Sequence, residues 1–566
     1  MNDRPGMSRR QALGRAAWGA AGAAVWGATG VSQAGPAAAA APTGTALLAP
    51  GAQQAADALY PKGVRPTRLY VIGEGALRPE ERVLAGTLQG QLARRCRGGT
   101  DNDVPGIYLD VPGVGYPVWL ADLAERYDIE LIPVNDLWTL VDRFTSQETN
   151  GGPIDRYVLY RRAEPSINVA TTVAGLTGAV AVEEALEPVA KQHGLRRVAD
   201  VRGKDDRWVK ETYWSRLRHD LVVEQKPDFA NQLRDYATMA GALMFYDGNS
   251  DFRRSVVGDL APDSATIGWG DASQGEDKFV SVSSQAGVRT IPADHARNLA
   301  PLSGIRHSRL SQRAPEVALA ATPEVDPDTH YASFLITDGD NIQWMLGDFQ
   351  SSANWFASPH RGAVDLGWGI SPSLIDLAPS VMRWYYDHAS AGAHRDRFVA
   401  GPSGGGYLYP SMYPRAELDL HTARLATSMR RADLHVAQII DFDSFSDTAL
   451  WSAYLQRDQI DGLIYLEYSR YDSHKGAVVW AHDKPVISAR TMLWDGLDGA
   501  DEASVTAELN AAERDPSSTA GYSVVMWHAW SKTVDSVKTV VDNLAPHVKV
   551  VPPDTLVKMV AAHASR

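Results

Sequence analysis

Tyr331-Ala332-Ser333-Phe334-Leu335-Ile336-Thr337-Asp338-Gly339-Asp340-Asn341 passes from an apolar stretch straight into carboxylates around a glycine. A short apolar run with no helical period and a turn-forming exit reads as a buried strand ending in a polar loop. Comparable runs begin near Leu366, Phe398, Leu434, Asp461, Lys484, Tyr522 and His547. Their mean spacing is about 31 residues, the length of one strand plus one helix. Helical stretches fit between several of them, for example Ala416 to Arg431 and Val534 to Leu544. Eight β/α units in roughly 240 residues match the size of a (β/α)8 barrel. A doubly wound open sheet is the competing arrangement, and open sheets of eight parallel strands are rarer. The expected fold class is α/β: a C-terminal TIM-barrel-like (β/α)8 domain over residues 329–566, preceded by two smaller α/β domains.

Folds of this kind place their sites at the carboxyl ends of parallel strands. Strand one ends in Asp338, Asp340 and Asn341, and strand two at Ser371-Pro372. Strand three enters Ser403-Gly404-Gly405-Gly406-Tyr407-Leu408-Tyr409-Pro410, where glycines leave the backbone open to close approach and two tyrosines offer flat rings with hydroxyls. Strand four ends in Asp441-Phe442-Asp443, strand five in Glu467-Tyr468, strand six at Arg490, and strand seven in Trp527-His528-Ala529-Trp530. Asp441 and Asp443 alternate, so at most one is expected to point into the mouth.

Paired carboxylates with aromatic platforms suggest glycoside hydrolysis, in which one carboxyl is protonated and the other ionised. Asp338 or Asp340 is the expected ionised carboxylate and Glu467 the expected acid, facing each other from opposite strands. Expected sugar-binding residues are Asn341, Ser403, Gly406, Tyr407, Tyr409, Asp441, Asp443, Tyr468, Arg490, His528 and Trp530. Duller roles compete. Asp338–Asn341 could cap its own turn. Glu467 could pair with Arg490, and His528 between two tryptophans could be a satisfied core histidine. Two other functions stay open. A metal-dependent polysaccharide deacetylase would need imidazole ligands beside its aspartates, and no H-[ST]-x-x-H pair follows the second strand. A non-catalytic carbohydrate-binding protein would use the aromatics alone. No metal or cofactor is called for by the sequence.

The run Gly404-x-Gly406-Tyr407-x-Tyr409-Pro410 resembles the signature of the GxGYxYP family of putative glycoside hydrolases. The resemblance extends to Thr337–Asn341, Gly462–Tyr465 with Glu467-Tyr468, Lys484-Pro485-Val486, His528–Ser531 and Val551–Asp554. Upstream it takes in Phe245–Gly248, Gly268-Trp269-Gly270 and Asn298-Leu299. It implies a TIM-barrel-like catalytic domain behind smaller α/β domains, acting on a carbohydrate. The chain departs from the family pattern at Ala272, where many relatives would carry an acid after Asp271; Glu276-Asp277 follow a few residues later.

Met7-Ser8-Arg9-Arg10-Gln11-Ala12-Leu13 resembles a twin-arginine export signal, followed by an apolar stretch from Ala16 to Val31 and alanine-rich sequence through Ala41. That stretch is too short and too rich in small residues for a stable membrane span. Residues 1–42 are therefore set aside from the fold, and the expected address is extracellular, with the signal cleaved. Cys96 is the single cysteine, so no intrachain disulfide is available. With 55 Lys+Arg against 68 Asp+Glu the formal charge is −13, which speaks against nucleic acid or anionic membrane as partner. The partner expected is a carbohydrate substrate, and no protein partner is indicated. Prolines 315, 323 and 327 mark residues 314–328 as a linker. Before it, residues 60–165 form one expected unit with strands at Leu69–Ile72 and Ile129–Val134. Residues 166–313 form the other, with strands at Asn168–Thr172, Ala242–Tyr246, Thr266-Ile267 and Phe279–Ser281 and a helix from Gly178 to His193.

Overall fold

The computed structural model describes residues 59–95, 104–146, 152–313 and 323–566. The expected export-signal segment, Cys96 and residues 314–322 of the expected linker lie outside the described residues. Before that linker the described strands form three parallel sheets, where the sequence reading has two units. The first has the order β2-β1-β3, from β1 (Arg68–Gly73), β2 (Pro105–Asp110) and β3 (Glu130–Pro133). The second has the order β5-β4-β6, from β4 (Arg156–Tyr160), β5 (Val180–Glu183) and β6 (Arg196–Asp200). The third has the order β10-β9-β7-β8, from β7 (Leu221–Glu224), β8 (Leu243–Phe245), β9 (Ser264–Gly268) and β10 (Val288–Ile291).

The division differs because the β-branched run at Asn168–Thr172 lies in a helix, Ser166–Thr177, buried along its whole length. A helix buried on every side loses its 3.6-residue polarity period and looks like a core strand. The expected helix Gly178–His193 opens instead with β5, and its helical part is a 3-10 turn at Glu184–Leu186 followed by an α-helix at Glu187–Gln192. Phe279–Ser281, read as a strand, sits in the helix Glu276–Gln285.

The C-terminal half carries all eight expected strands: β11 (His330–Ile336), β12 (Leu366–Ile370), β13 (Asp396–Ala400), β14 (Val436–Asp441), β15 (Gly462–Glu467), β17 (Lys484–Ser488), β19 (Tyr522–Trp527) and β20 (Val548–Val550). Two short strands accompany them, β16 (Val478–Ala481), antiparallel to β17, and β18 (Thr491–Leu493). β11 to β15 and β19 are buried at every residue, as parallel strands covered on both faces must be. β17 pairs with β15, whereas β18, two residues further along the same run of chain, pairs with β19. The sheet therefore curls until Lys484–Leu493 lies against both of its ends. Its order departs from a strict (β/α)8 arrangement at the last strand. β19 pairs directly with β11, and β20 pairs with His330–Ala332 on the opposite side. There β11 and β12 are matched only at Leu335 and Gly367, which leaves the start of β11 open for β20.

The alternation of each strand separates two cores. Ala332, Phe334, Ile336, Trp368, Ile439, Tyr465 and Val525 pack with the surrounding helices on the convex face. Leu335, Val399, Ile440, Ile464, Leu466, Ile487 and Met526 pack together on the concave face. The concave core includes Leu556, Val557 and Val560 of the helix Pro553–His563. That helix abuts Gly367 and Gly462 and is tied by Asp554 to Arg397 at 2.8 Å, so it floors the curl at the amino ends of the strands. The carboxyl ends are left as the mouth. Among the described residues no helix is long and apolar enough to cross a membrane.

Candidate active site at the mouth of the curled sheet

The loop after β11 folds across the mouth. Asp338 adopts a left-handed conformation (φ 64°) that turns the chain, and the Thr337 hydroxyl donates to its carboxylate while accepting the Ala529 N–H at 3.1 Å. Gly339 lies backbone to backbone on Gly369, where a Cβ would come within 2.1 Å of the Gly369 carbonyl carbon. The backbone of Asp340 is pressed on Gly401, where a Cβ would come within 2.5 Å of the Asp340 nitrogen. Asp338 is 2 % exposed and Asp340 4 %. Both expected aspartates thus sit at the carboxyl ends of β11, β12 and β13. Asn341 has a different job from the expected one: its side-chain oxygen caps the helix Ile342–Leu346 by accepting the Trp344 N–H.

The glycine-tyrosine loop is packed, not open. Ser403 Oγ accepts the Ile440 N–H at 3.1 Å and donates to the Leu408 carbonyl at 2.8 Å, so it ties the loop to β14. Gly404 needs its positive φ of 94°, and any side chain there would strike Leu425. Gly406 lies against Ile291 and the Thr290 carbonyl. Tyr407 and Thr290 exchange backbone hydrogen bonds of 3.0 and 2.8 Å, and the Tyr409 N–H donates to Ser284 Oγ at 3.0 Å. The motif therefore clamps the third N-terminal sheet to the mouth. The rings of Tyr407 and Tyr409 are buried edge to face, Tyr409 also meeting Phe442 and Tyr468, so they are not the exposed sugar platforms expected. Burial pushes the Tyr409 phenol well above its ordinary value.

Glu467 does not face the aspartate loop. It follows Leu463 and Tyr465 on the convex face of β15, and its carboxylate accepts the Tyr465 hydroxyl and the Asp443 N–H, each at 3.0 Å. His474 Nε2 stands 3.5 Å away, its ring stacked on Phe445. Asp441, paired in register with Glu467, is likewise turned outward. It accepts three hydrogen bonds, from the Ser411 N–H and the hydroxyls of Ser411 and Ser444, at 2.7–2.8 Å. Burial, only partly offset by these donors, pushes its carboxyl up to about 6. Asp443 is exposed. Arg490 is turned away from Glu467: its guanidinium donates to the carbonyls of Ala520 and Tyr522 at the start of β19.

On the concave side the mouth is aromatic. His528 lies flat on Trp494 (3.6 Å between ring centroids, 7° between planes) and donates or accepts at Ser531 Oγ, 2.7 Å away. Tyr471 meets Trp494 edge on, and Tyr468 joins the concave core, with Trp494 packed against it. Trp530 packs against Trp344 and Trp355 behind the aspartate loop. The third N-terminal sheet supplies the remaining wall: Trp269 and Ala272 pack on the concave cluster, and the Ile342 N–H donates to the Pro292 carbonyl just past β10. Glu276, the first residue of its helix, accepts the Tyr407 hydroxyl at 2.6 Å. Sequence reasoning noted Glu276 only as an acid following Ala272, without a role, and passed over His474, Tyr471 and Trp494. The one local signal was the acid following Gly275, at the position where a helix opens.

A parallel, curled sheet closed at its amino end, with buried carboxylates and aromatic rings at its carboxyl end, defines a multidomain α/β protein with an enzyme-like mouth. The chain belongs to the GxGYxYP family. Four profiles of that family match it: the first N-terminal domain over residues 68–146, the second over 154–217, the third over 219–304, and the domain described as "GxGYxYP putative glycoside hydrolase C-terminal domain" over 328–561. These boundaries coincide with the three small sheets and the curled sheet. A crystal structure described as a putative hydrolase from Bacteroides thetaiotaomicron is similar, with a TM-score of 0.81 and 34% identity over 91% of this chain and 99% of that one. No curated protein matches the chain.

Proposed function

We propose that this protein is a glycoside hydrolase, exported by the twin-arginine route, that cleaves an O-glycosidic bond of a poly- or oligosaccharide at the mouth of the curled sheet. The observation that carries the reading is the loop bearing Asp338 and Asp340: both carboxylates are buried, and backbone packing on Gly369 and Gly401 fixes the loop across the strand ends. The neighbouring strand ends, after β18 and β19, carry rings, Trp494 with His528 and Tyr471, the lining that sugar faces prefer. The description of the family and of the structural relative supports the same class of chemistry. In that chemistry a protonated carboxyl gives its proton to the leaving oxygen as the bond to the anomeric carbon breaks, while an ionised carboxylate attacks that carbon or activates water. The curled sheet then serves as a TIM-barrel-like scaffold with its site at the carboxyl end. Glu467, on the convex face, is not assigned to this pair.

The test is a panel of plant and microbial polysaccharides and aryl glycosides, comparing the wild type with Asp338→Asn, Asp340→Asn and Glu467→Gln. At least one loop variant should lose turnover by about 100-fold or more, whereas Glu467→Gln should stay within about tenfold of the wild type. A wild type inert toward the whole panel, or loop variants as active as the wild type, would refute the reading.

A further inference from the structure

Glu467, the acid expected to complete the pair, is turned to the convex face, and a different buried acid, Glu276, reaches the signature motif from the third N-terminal domain. We propose that the active site is composite: Glu276, carried by the third N-terminal domain, is the second catalytic carboxylate opposite the Asp338–Asp340 loop, and Tyr407 of the family's signature motif is its positioning residue. The proposal rests on the glycoside hydrolase reading.

Three observations carry it. Glu276 is only 8 % exposed, and its Oε1 accepts the Tyr407 hydroxyl at 2.6 Å. That phenol stands 3.4 Å from the Tyr409 hydroxyl, which interacts in turn with Tyr468, so a line of phenols runs from Glu276 into the concave face. One turn further along the same helix, Phe279 and Val280 bury in the concave cluster with Tyr407, Tyr409 and Tyr468. Glu276 is therefore on the side of the sheet that Glu467 is not. Finally, the domain carrying Glu276 is fixed on both flanks of the aspartate loop. Thr290 and Tyr407 hydrogen-bond reciprocally on one flank, and Ile342, two residues past Asp340, donates to Pro292 at 3.0 Å on the other.

The chemistry of the surroundings assigns the role. A phenol donating to a carboxylate favours its ionised form, and so does a helix N-terminus. The buried cation over the Phe279 ring, Arg253, is committed to Glu224, with two contacts of 2.8 and 3.0 Å. In the proposed site Glu276, with its phenol donor at the start of a helix, is the base, and an Asp338–Asp340 carboxyl supplies the proton. In the hydrolytic step that proton passes to the glycosidic oxygen as the anomeric C–O bond breaks. A water adds its oxygen to the anomeric carbon and gives up its proton to Glu276, and the two carboxyls then exchange that proton through solvent. Overall one water is consumed and one glycosidic bond is lost.

The experiment uses the full chain and the best substrate found with the panel above, with Glu276→Gln, Tyr407→Phe and Asp340→Asn compared by kcat, KM, pH profile and melting temperature. Glu276→Gln should lower kcat by about 1,000-fold with little change in melting temperature. Tyr407→Phe should lower kcat less, and should move the acidic limb of the kcat profile to higher pH because the carboxylate has lost its donor. A purely structural Tyr407 would change stability and leave that limb in place. Glu276→Gln turning over within about tenfold of the wild type, or a Tyr407→Phe profile with an unmoved acidic limb, would overturn the composite site. In that case the loop variants would still report on the hydrolase reading. A wild type that hydrolyses nothing would overturn both.

Discussion

Replacing Asp263 with Asn should loosen the docking that the composite site requires. Asp263 stands just before β9, in a left-handed conformation (φ 54°), with its carboxylate fully buried. It accepts from Arg289 Nη1 at 2.5 Å, from the Tyr413 hydroxyl at 3.0 Å and from Arg424 at 3.1 Å, and His421 Nδ1 lies 2.8 Å away. Arg289 belongs to the third N-terminal sheet, whereas Tyr413, His421 and Arg424 come from the C-terminal half, so one carboxylate joins the two. Arg424 is 39 % exposed and adds little through solvent, but Arg289 is 3 % exposed and would be left as an unpaired buried cation. Removing one member of a buried pair costs about 3–5 kcal/mol. At about 2–4 °C per kcal/mol for a large domain, the melting temperature should fall by roughly 6–20 °C. Burial alone would raise this carboxyl, but Arg289 and His421 outweigh it and hold the group far below the ordinary carboxylate range. A depressed carboxyl stabilises the fold above its unfolded value and loses that contribution only as pH falls toward the folded value. The gap between wild type and Asp263→Asn should therefore not narrow until the pH drops below about 4. Differential scanning calorimetry from pH 3 to 8 checks both points. A shift below about 2 °C at pH 7 would refute the reasoning, because it would mean that Arg289 finds another anion or water at no cost.

His330 is buried between the Glu513 carbonyl and Ser523 Oγ, and burial lowers it to about 4. The unfolded chain takes up this proton below about 6.5 while the native state does not, so about 3 kcal/mol is lost as pH falls from 6.5 to 4; His330→Gln should flatten urea-unfolding stability across that window. Asp441 works in the opposite sense. Its raised carboxyl binds a proton that the unfolded chain has released, so stability falls by about 3 kcal/mol as pH rises from 4 to 6, and Asp441→Asn should remove that slope. Gly339→Ala would drive a methyl into the Gly369 backbone, so the aspartate loop must lift. Turnover should fall by about 100-fold with only a small change in melting temperature, and a fully active Ala variant would show that the loop's height over the mouth is immaterial.

The strand ladder of the C-terminal half was legible because its signal is strong and local. Each of the eight expected starts falls within two residues of a strand, from Tyr331 in β11 to His547 before β20. What was not legible is which way the side chains point. In a half-buried antiparallel strand the alternation of polar and apolar residues marks the inward face. In β15 that mark is missing: Leu463, Tyr465 and Glu467 face outward while Ile464 and Leu466 face inward, and both sets are apolar until the last residue. A strand end such as Glu467 therefore reads as a site acid whether it faces the mouth or the helices. The same limit hid the displacement of β20, because hydrogen-bond partners at a three-residue strand leave no trace in spacing.

The signature motif shows why the rest of the site was out of reach. Its glycines do mark a close backbone approach, but the partner is Thr290, Ile291 and Leu425 rather than a ligand. Its first tyrosine does present a hydroxyl, but to an acid that lies 131 residues earlier in the chain. Local sequence can show that a glycine-tyrosine loop is pressed against something; only the docked domains show what. The C-terminal half by itself would contain Asp338, Asp340, Glu467 and every tyrosine of the motif, and still lack Glu276, the acid that the first of those tyrosines holds. On this reasoning the third small domain is part of the proposed site's construction, and the motif is where its docking and the chemistry meet.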